Sequence, residues 1–191
     1  MEIYLLRHPK VVTTPGVCIG QTDVPCLPFE ISEKLVEFLQ DKNIQNIYCS
    51  DLQRCRVLSS LLQQALGIGA VTTKSLREIS FGDWENRSWD EIRANDPCCE
   101  NWFADSENLS PPNGESGQDF RKRILSFISD LPQAQGNVLL ITHAGWIRTL
   151  VAYTRNVPWM ESFQIEIDYL SLSAVEWSQK GSRVLWLNEK L

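Results

Sequence analysis

Two short apolar runs, far apart in the chain, each end on a histidine, and they limit the fold more than any other feature. Residues 1–8 read MEIYLLRH, and residues 139–145 read LLITHAG. A brief apolar run that stops at a turn signal is the pattern of a strand buried on both faces. Such strands belong to parallel sheets covered by helices on each side. These sheets bind ligands just beyond the carboxyl ends of their strands. That is where the two runs deliver Arg7–His8 and His143. The chain has no other histidine. The pattern predicts that the two face one another across one ligand, and an Arg–His pair suits a phosphate.

Between and after these runs, strand and helix patterns alternate. Residues 15–28 are rich in Gly and Pro, follow neither period and read as a loop. Residues 30–43 carry a helical stripe at Ile31, Leu35, Phe38 and Leu39, and residues 44–49 form a short strand. A helix then runs to about Leu66, with N-cap chemistry at Ser50–Asp51 and Gly67 as its stop. Residues 71–76 are a further strand, closing on Arg77 and Glu78. Residues 81–114 form an irregular cover with Trp84, Trp89, Trp102 and Phe103, broken by Pro97, Pro111 and Pro112, with a short helix near 88–95. These aromatics read chiefly as packing. Residues 117–131 are an amphipathic helix, 137–142 a strand and 145–155 a helix. Residues 171–177 and 183–187 make an antiparallel hairpin about a turn at 179–182. The sum is one α/β domain over residues 1–191, a three-layer αβα sandwich with a mainly parallel sheet and an antiparallel edge hairpin.

Charge narrows the function. The net charge of −6 lacks the basic excess of a nucleic-acid surface. A few arginines in a cleft still suffice for a small anion. No apolar run approaches the roughly 20 residues that span a bilayer, and the N-terminus lacks the features of a secretory signal, so a cytoplasmic protein is expected. The six cysteines contain no CxxC pair and read as reduced thiols, with Cys18 and Cys26 structural. Neither a metal nor a cofactor is expected. Oligomerisation is open but not indicated; the hairpin edge is one place where a second chain could pair.

Arg7–His8, Ser50–Arg54, Glu78 and His143 all fall just past strand ends. Singly, each has an ordinary reading as a core histidine, a surface arginine or a solvated acid. Their shared placement joins them into one site. Phosphoryl transfer asks for a nucleophile and for charge stabilisation in line with it. A neutral imidazole can form a phosphohistidine, provided its other ring nitrogen is held, usually by donating to a carbonyl. His8 takes that role. Arg7 and Arg54 suit the phosphate oxygens as planar forks. His143 is placed to donate to the equatorial oxygens. Glu78 is the candidate acid for the leaving alkoxide, then the base for water. Arg148 stays open between a salt bridge and support of the site.

At these residues the sequence resembles the histidine phosphatase, or phosphoglycerate-mutase-like, superfamily. The matching stretches are LLRH at 5–8, GQTDVP at 20–25, SDLQR at 50–54, LRE at 76–78 with FGDWE at 81–85, GES at 114–116, and THAG at 142–145 through Ile147-Arg148. They come in the family's order and cover most of the chain. The resemblance implies a phosphorylated His8, a phosphate pocket of Arg7, Arg54 and His143, and Glu78 as proton donor. The short first loop, GVCIGQTD at 16–23, is similar to the α-ribazole-5′-phosphate phosphatase branch, which serves cobalamin synthesis. That likeness adds Gln21, Thr22 and Ala144 as substrate contacts. The chain departs from the family at Pro9, where glycine is usual, at Lys10-Val11, and at Thr14, where asparagine is usual. The expected activity is metal-independent hydrolysis of a small phosphorylated metabolite, with α-ribazole 5′-phosphate first. The alternatives are a broad-specificity or sugar-phosphate phosphatase, a phosphoglycerate mutase, or a silent phosphate-binding module.

Overall fold

The two histidine-bearing runs lie side by side at the middle of a six-stranded sheet. The computed structural model describes residues 1–132, 136–178 and 180–191. Its elements are β1 (Glu2–Arg7), α1 (Glu33–Gln40), β2 (Ile44–Ser50), α2 (Gln53–Leu66), β3 (Ala70–Thr73), α3 (Trp89–Asn95), α4 (Cys99–Ala104), α5 (Gly117–Ser129), β4 (Asn137–Thr142), α6 (Ala144–Arg155), β5 (Leu172–Ser178) and β6 (Gly181–Glu189), with 3₁₀ turns at Lys74–Leu76, Gly82–Trp84 and Trp159–Gln164. The strand order is β3-β2-β4-β1-β5-β6. β1, β2, β3 and β4 pair in parallel, while β5 runs antiparallel to both β1 and β6. This is the expected three-layer αβα sandwich, with a mainly parallel sheet and an antiparallel edge hairpin.

Alternation along the central strands sorts their side chains into two cores. Ile3, Leu5, Val138 and Leu140 face one layer, with Phe120 and Ile124 of α5 and Trp146 and Leu150 of α6. Tyr4, Leu6, Leu139 and Ile141 face the other, with Leu35 and Leu39 of α1 and Leu58 and Leu62 of α2. Both faces are apolar because both are covered. The expected irregular cover supplies a third cluster, in which Trp84 and Trp102 pack with Cys18, Ile92 and Cys99.

Several boundaries differ from the sequence expectation. α1 begins at Glu33, because the Ser32 hydroxyl accepts the Leu35 N–H. Ser50–Asp51 does not cap α2. Ser50 ends β2, and Asp51 turns aside to pair with Arg77 at 2.6 Å. Leu52 holds the cap position without a side-chain bond, and Asp23, from the first loop, accepts the Gln53 N–H at 2.7 Å instead. β3 stops at Thr73, whose hydroxyl accepts the Ser75 N–H and starts a 3₁₀ turn. The cover contains a second helix, α4, which begins after Pro97, where proline is harmless. In the hairpin turn, Gln179 lies outside the described residues; Ser178 pairs with Gly181 across it.

The two ends of the cover are locked together where Gly82 crosses residues 112–114. Gly82 has a φ of +54°, and a β-carbon there would sit 2.1 Å from the Pro112 carbonyl oxygen. Asp83 N–H donates to that same carbonyl at 2.9 Å. Left-handed strain and a backbone clash add. Gly82→Ala is expected to cost about 2 to 3 kcal/mol, read as a lower urea midpoint. An unchanged midpoint would mean that the cover is not held at this crossing.

Candidate active site

β1 ends at Arg7, paired with Thr142 of β4. The next residue extends the ladder by one bond, His8 N–H to the Thr142 carbonyl at 3.0 Å. His8 and His143 therefore leave adjacent strands at one level, with ring centroids 5.0 Å apart. The Thr142 hydroxyl donates to the Leu76 carbonyl at 2.7 Å. That bond ties the segment leading to Glu78 to the same strand end.

The tautomers of both histidines follow from their partners. His8 Nδ1 lies 2.7 Å from the Pro9 carbonyl oxygen, which can only accept. Nδ1 therefore carries the proton, and Nε2 keeps its lone pair. His143 Nδ1 accepts from Arg54 Nε at 3.2 Å, so its Nε2 carries the proton and donates to the Ser50 hydroxyl at 3.0 Å. Burial, helped by the Arg54 guanidinium, pushes His8 down to about 3. Burial, then the charges of His8 and Arg54, holds His143 well below the ordinary histidine value. Both rings are neutral at physiological pH.

The arginines are held by carbonyls. Arg54, almost fully buried, donates from Nη1 to the Thr22 carbonyl and from Nη2 to the Gly20 carbonyl, both at 2.7 Å. Arg7 donates from Nη1 to the Ile167 carbonyl at 2.6 Å and stacks on Tyr169, its guanidinium carbon 3.7 Å from the ring centre. Glu78 is fixed by amides. Its Oε2 accepts the Gly145 N–H at 2.9 Å and its Oε1 accepts the Ile79 N–H at 3.2 Å. Gly145 has to be glycine for this, since a β-carbon would sit 2.4 Å from Glu78 Oε1.

Arg7, His8, Arg54, Glu78, His143 and Ala144 all line one cavity of about 470 Å³. Gln21 and Thr22 do not. Gln21 donates its side-chain amide to the Glu78 carbonyl, and Thr22 donates its hydroxyl to Glu85, so both turn into the protein. They shape the loop whose carbonyls hold Arg54. His143 also differs from expectation. With both ring nitrogens engaged, it has no spare N–H for an equatorial oxygen; it orients Arg54 instead. Arg54 in turn meets the loop carbonyls and keeps only its remaining N–H groups for a ligand. Arg148 makes no ion pair among the described residues and lines the cavity. No group of three or more His, Cys, Asp or Glu among the described residues is placed to hold a metal ion.

Two contributors escaped the sequence reading. Tyr169 precedes β5, and an antiparallel neighbour of β1 begins where β1 ends; that topological rule could have found it. Arg123 of α5 clasps Glu115 and donates to the carbonyls of Ser75, Arg77 and Glu78, fixing the Glu78 segment from behind. No local pattern marks it.

The chain belongs to the histidine phosphatase superfamily, branch 1, whose family model matches residues 3–190. The relatives named as phosphatases agree with a phosphoric monoester hydrolase. An adenosylcobalamin/alpha-ribazole phosphatase of Escherichia coli is 27% identical over 198 residues, spanning 100% of this chain and 97% of that one. A protein of Hydrogenobacter thermophilus, provisionally named phosphoserine phosphatase 2, is 26% identical over 98% of this chain and 95% of its own. The crystal structure of the alpha-ribazole phosphatase from Shigella flexneri matches with a TM-score of 0.80 at 25% identity, covering 99% of this chain and 96% of that one.

Two measurements check this geometry. Gly145→Ala pushes Glu78 off its amide and is expected to lower phosphatase turnover at least tenfold while the chain stays folded; full turnover would detach Glu78 from the reaction. The second uses pH. His8 is neutral when folded but titrates near 6.5 when unfolded, so below 6.5 the unfolded chain binds the extra proton and stability falls, down to about pH 3. The loss from this one ring is roughly 2 kcal/mol at pH 5. His8→Asn should narrow the gap between urea midpoints at pH 7 and pH 5. An equal gap in both proteins would show that His8 is not desolvated.

Proposed function

We propose that the protein is a metal-independent phosphomonoesterase that works through a phosphohistidine on His8. The observation that carries this reading is the His8 Nδ1–H bond to the Pro9 carbonyl, which leaves Nε2 unprotonated beside two guanidiniums. Nε2 attacks the phosphorus atom, and the ester P–O bond breaks. Glu78, entering the step as the carboxylic acid, gives its proton to the leaving alkoxide and becomes the carboxylate. The Glu78 carboxylate then takes a proton from a water that attacks the phosphohistidine. The P–N bond breaks, inorganic phosphate leaves and His8 returns to its starting form. Arg7 and the remaining N–H groups of Arg54 stabilise the charge that builds on the phosphoryl oxygens, and His143 holds Arg54 in place.

The substrate is a small phosphorylated metabolite, and α-ribazole 5′-phosphate is one candidate, by likeness to the relatives named for it. A single domain carries the activity, without metal or cofactor, and a cytoplasmic setting fits a chain in which no described helix is long and apolar enough to cross a membrane.

Turnover of p-nitrophenyl phosphate is expected to persist in EDTA and to fall at least a thousandfold in His8→Ala. The wild-type protein should give an acid-labile phosphoprotein on rapid quench. Activity lost to EDTA, or kept in His8→Ala, would overturn the proposal. Glu78→Gln should slow alkyl phosphates far more than p-nitrophenyl phosphate, whose leaving group needs little protonation. Equal losses would remove Glu78 as the acid. A screen that includes α-ribazole 5′-phosphate and 3-phosphoglycerate then tests the substrate, and transfer between hydroxyls in place of release would mark a mutase.

A further inference from the structure

One cation in the cavity has no part in the chemistry above. Arg148 sits one turn into α6, on the helix face that begins at Ala144. Its Nε donates to the Ile165 carbonyl at 2.7 Å, and that is the one hydrogen bond it makes among the described residues. No carboxylate among them lies within ion-pair distance. The terminal pair of amino groups is left without a protein acceptor, at the wall of the cavity that holds His8. The same residue also walls a smaller apolar pocket next door, with Ile79, Phe81 and Phe163.

The tethers of Arg148 and Arg7 set a length. Arg148 is held by the Ile165 carbonyl and Arg7 by the Ile167 carbonyl. Two residues of chain span at most about 7 Å. The two carbonyl tethers therefore lie close together, and both arginines line the one cavity, where a single small molecule can meet both. Arg7 lies beside the nucleophile, so it faces the phosphoryl group. Arg148 then faces the organic half of the same ester. An end-on guanidinium presents two parallel N–H groups, the match for a planar carboxylate. Ile79, Phe81 and Phe163, which line this cavity as well as the smaller pocket, offer nothing to a polar spacer and suit a short carbon chain.

We propose that Arg148 is a specificity-determining residue that binds a carboxylate on the leaving group, so that the preferred substrates are small phosphate esters bearing a carboxylate a few bonds from the ester oxygen. The proposal rests on the reading of this cavity as a phosphate-ester site. It orders the candidates within that reading by placing carboxylated esters ahead of α-ribazole 5′-phosphate.

O-phosphoserine and O-phosphoethanolamine test it, since they differ only by the carboxylate. The readouts are kcat/KM for each ester and, from calorimetry, the Kd of each. The wild-type protein is expected to favour O-phosphoserine about tenfold or more, mostly through KM and Kd. Arg148→Met should bring the ratio of the two esters near unity, whatever the absolute rates. Arg148→Lys, which keeps the charge but loses the fork, should restore part of the ratio and serves if the methionine variant does not fold. A wild-type ratio near unity, a ratio unchanged in both variants, or a better kcat/KM for α-ribazole 5′-phosphate than for O-phosphoserine would overturn the proposal. If the wild-type protein hydrolyses no ester, the phosphatase reading fails, while the Kd ratio still decides the role of Arg148.

Discussion

The site depends on the parallel pairing of β1 with β4. Register alone sets His8 beside His143, because Arg7 lies opposite Thr142 and the ladder continues for one more bond. A slip of one residue would turn every side chain of β1 to the other core, and burial on both faces does not forbid it as strongly as a polar face would. Thr142 supplies the missing constraint. Its carbonyl holds the His8 N–H, and its hydroxyl holds Leu76, two residues before Glu78. One threonine thus ties His8 and the segment leading to Glu78 to a single point.

The second constraint is charge. Burying guanidiniums normally calls for carboxylates, since an isolated buried cation is costly. Here Arg7, Arg54 and Arg148 are held chiefly by backbone carbonyls. Carbonyls satisfy the donors without cancelling the charge. The net positive field in the cavity survives for a phosphate dianion, although the chain as a whole is acidic. The same field, added to desolvation, keeps both imidazoles unprotonated. Acids are kept outside the first layer. Glu85 and Glu115 anchor the loops and Arg123, and among the described residues Glu78 is the one acid that lines the cavity, with two amides on its carboxyl group.

Strand and helix periods made the sheet, its covering helices and the strand-end positions of Arg7, His8 and His143 legible in the sequence, with Arg54 in the first turn of α2 and Glu78 set back from β3 by a 3₁₀ turn. What was not legible depends on contacts between distant segments. Gln21 and Thr22 belong to a motif, but a motif does not say which way a side chain points; theirs turn to Glu78 and Glu85 because the loop packs against the cover. Asp23 caps α2 across thirty residues of chain, so the local search for a cap settled on Ser50–Asp51. Tyr169 and Arg123 carry no local signal. Their importance comes from where β5 starts and where α5 lies against the Arg77–Glu78 segment.

Pro9 is the departure that the physics explains most fully. Proline lacks an N–H, so any phosphate contact made by an amide at that position is lost. Its carbonyl remains, and that carbonyl is the acceptor for His8 Nδ1–H. Proline also fixes its own φ and restricts the residue before it, which here is His8. The segment beyond is pinned as well: Val11 bridges Cys26, Val12 N–H donates to the Pro25 carbonyl, and Leu27 N–H donates to the Lys10 carbonyl. A glycine in place of Pro9 could supply a donor but would leave the acceptor on a freer backbone. This chain thus has one backbone donor fewer beside His8 and holds the imidazole on a stiffer backbone. Such an exchange suits a ring whose unprotonated nitrogen must keep a fixed direction where guanidiniums already supply the charge.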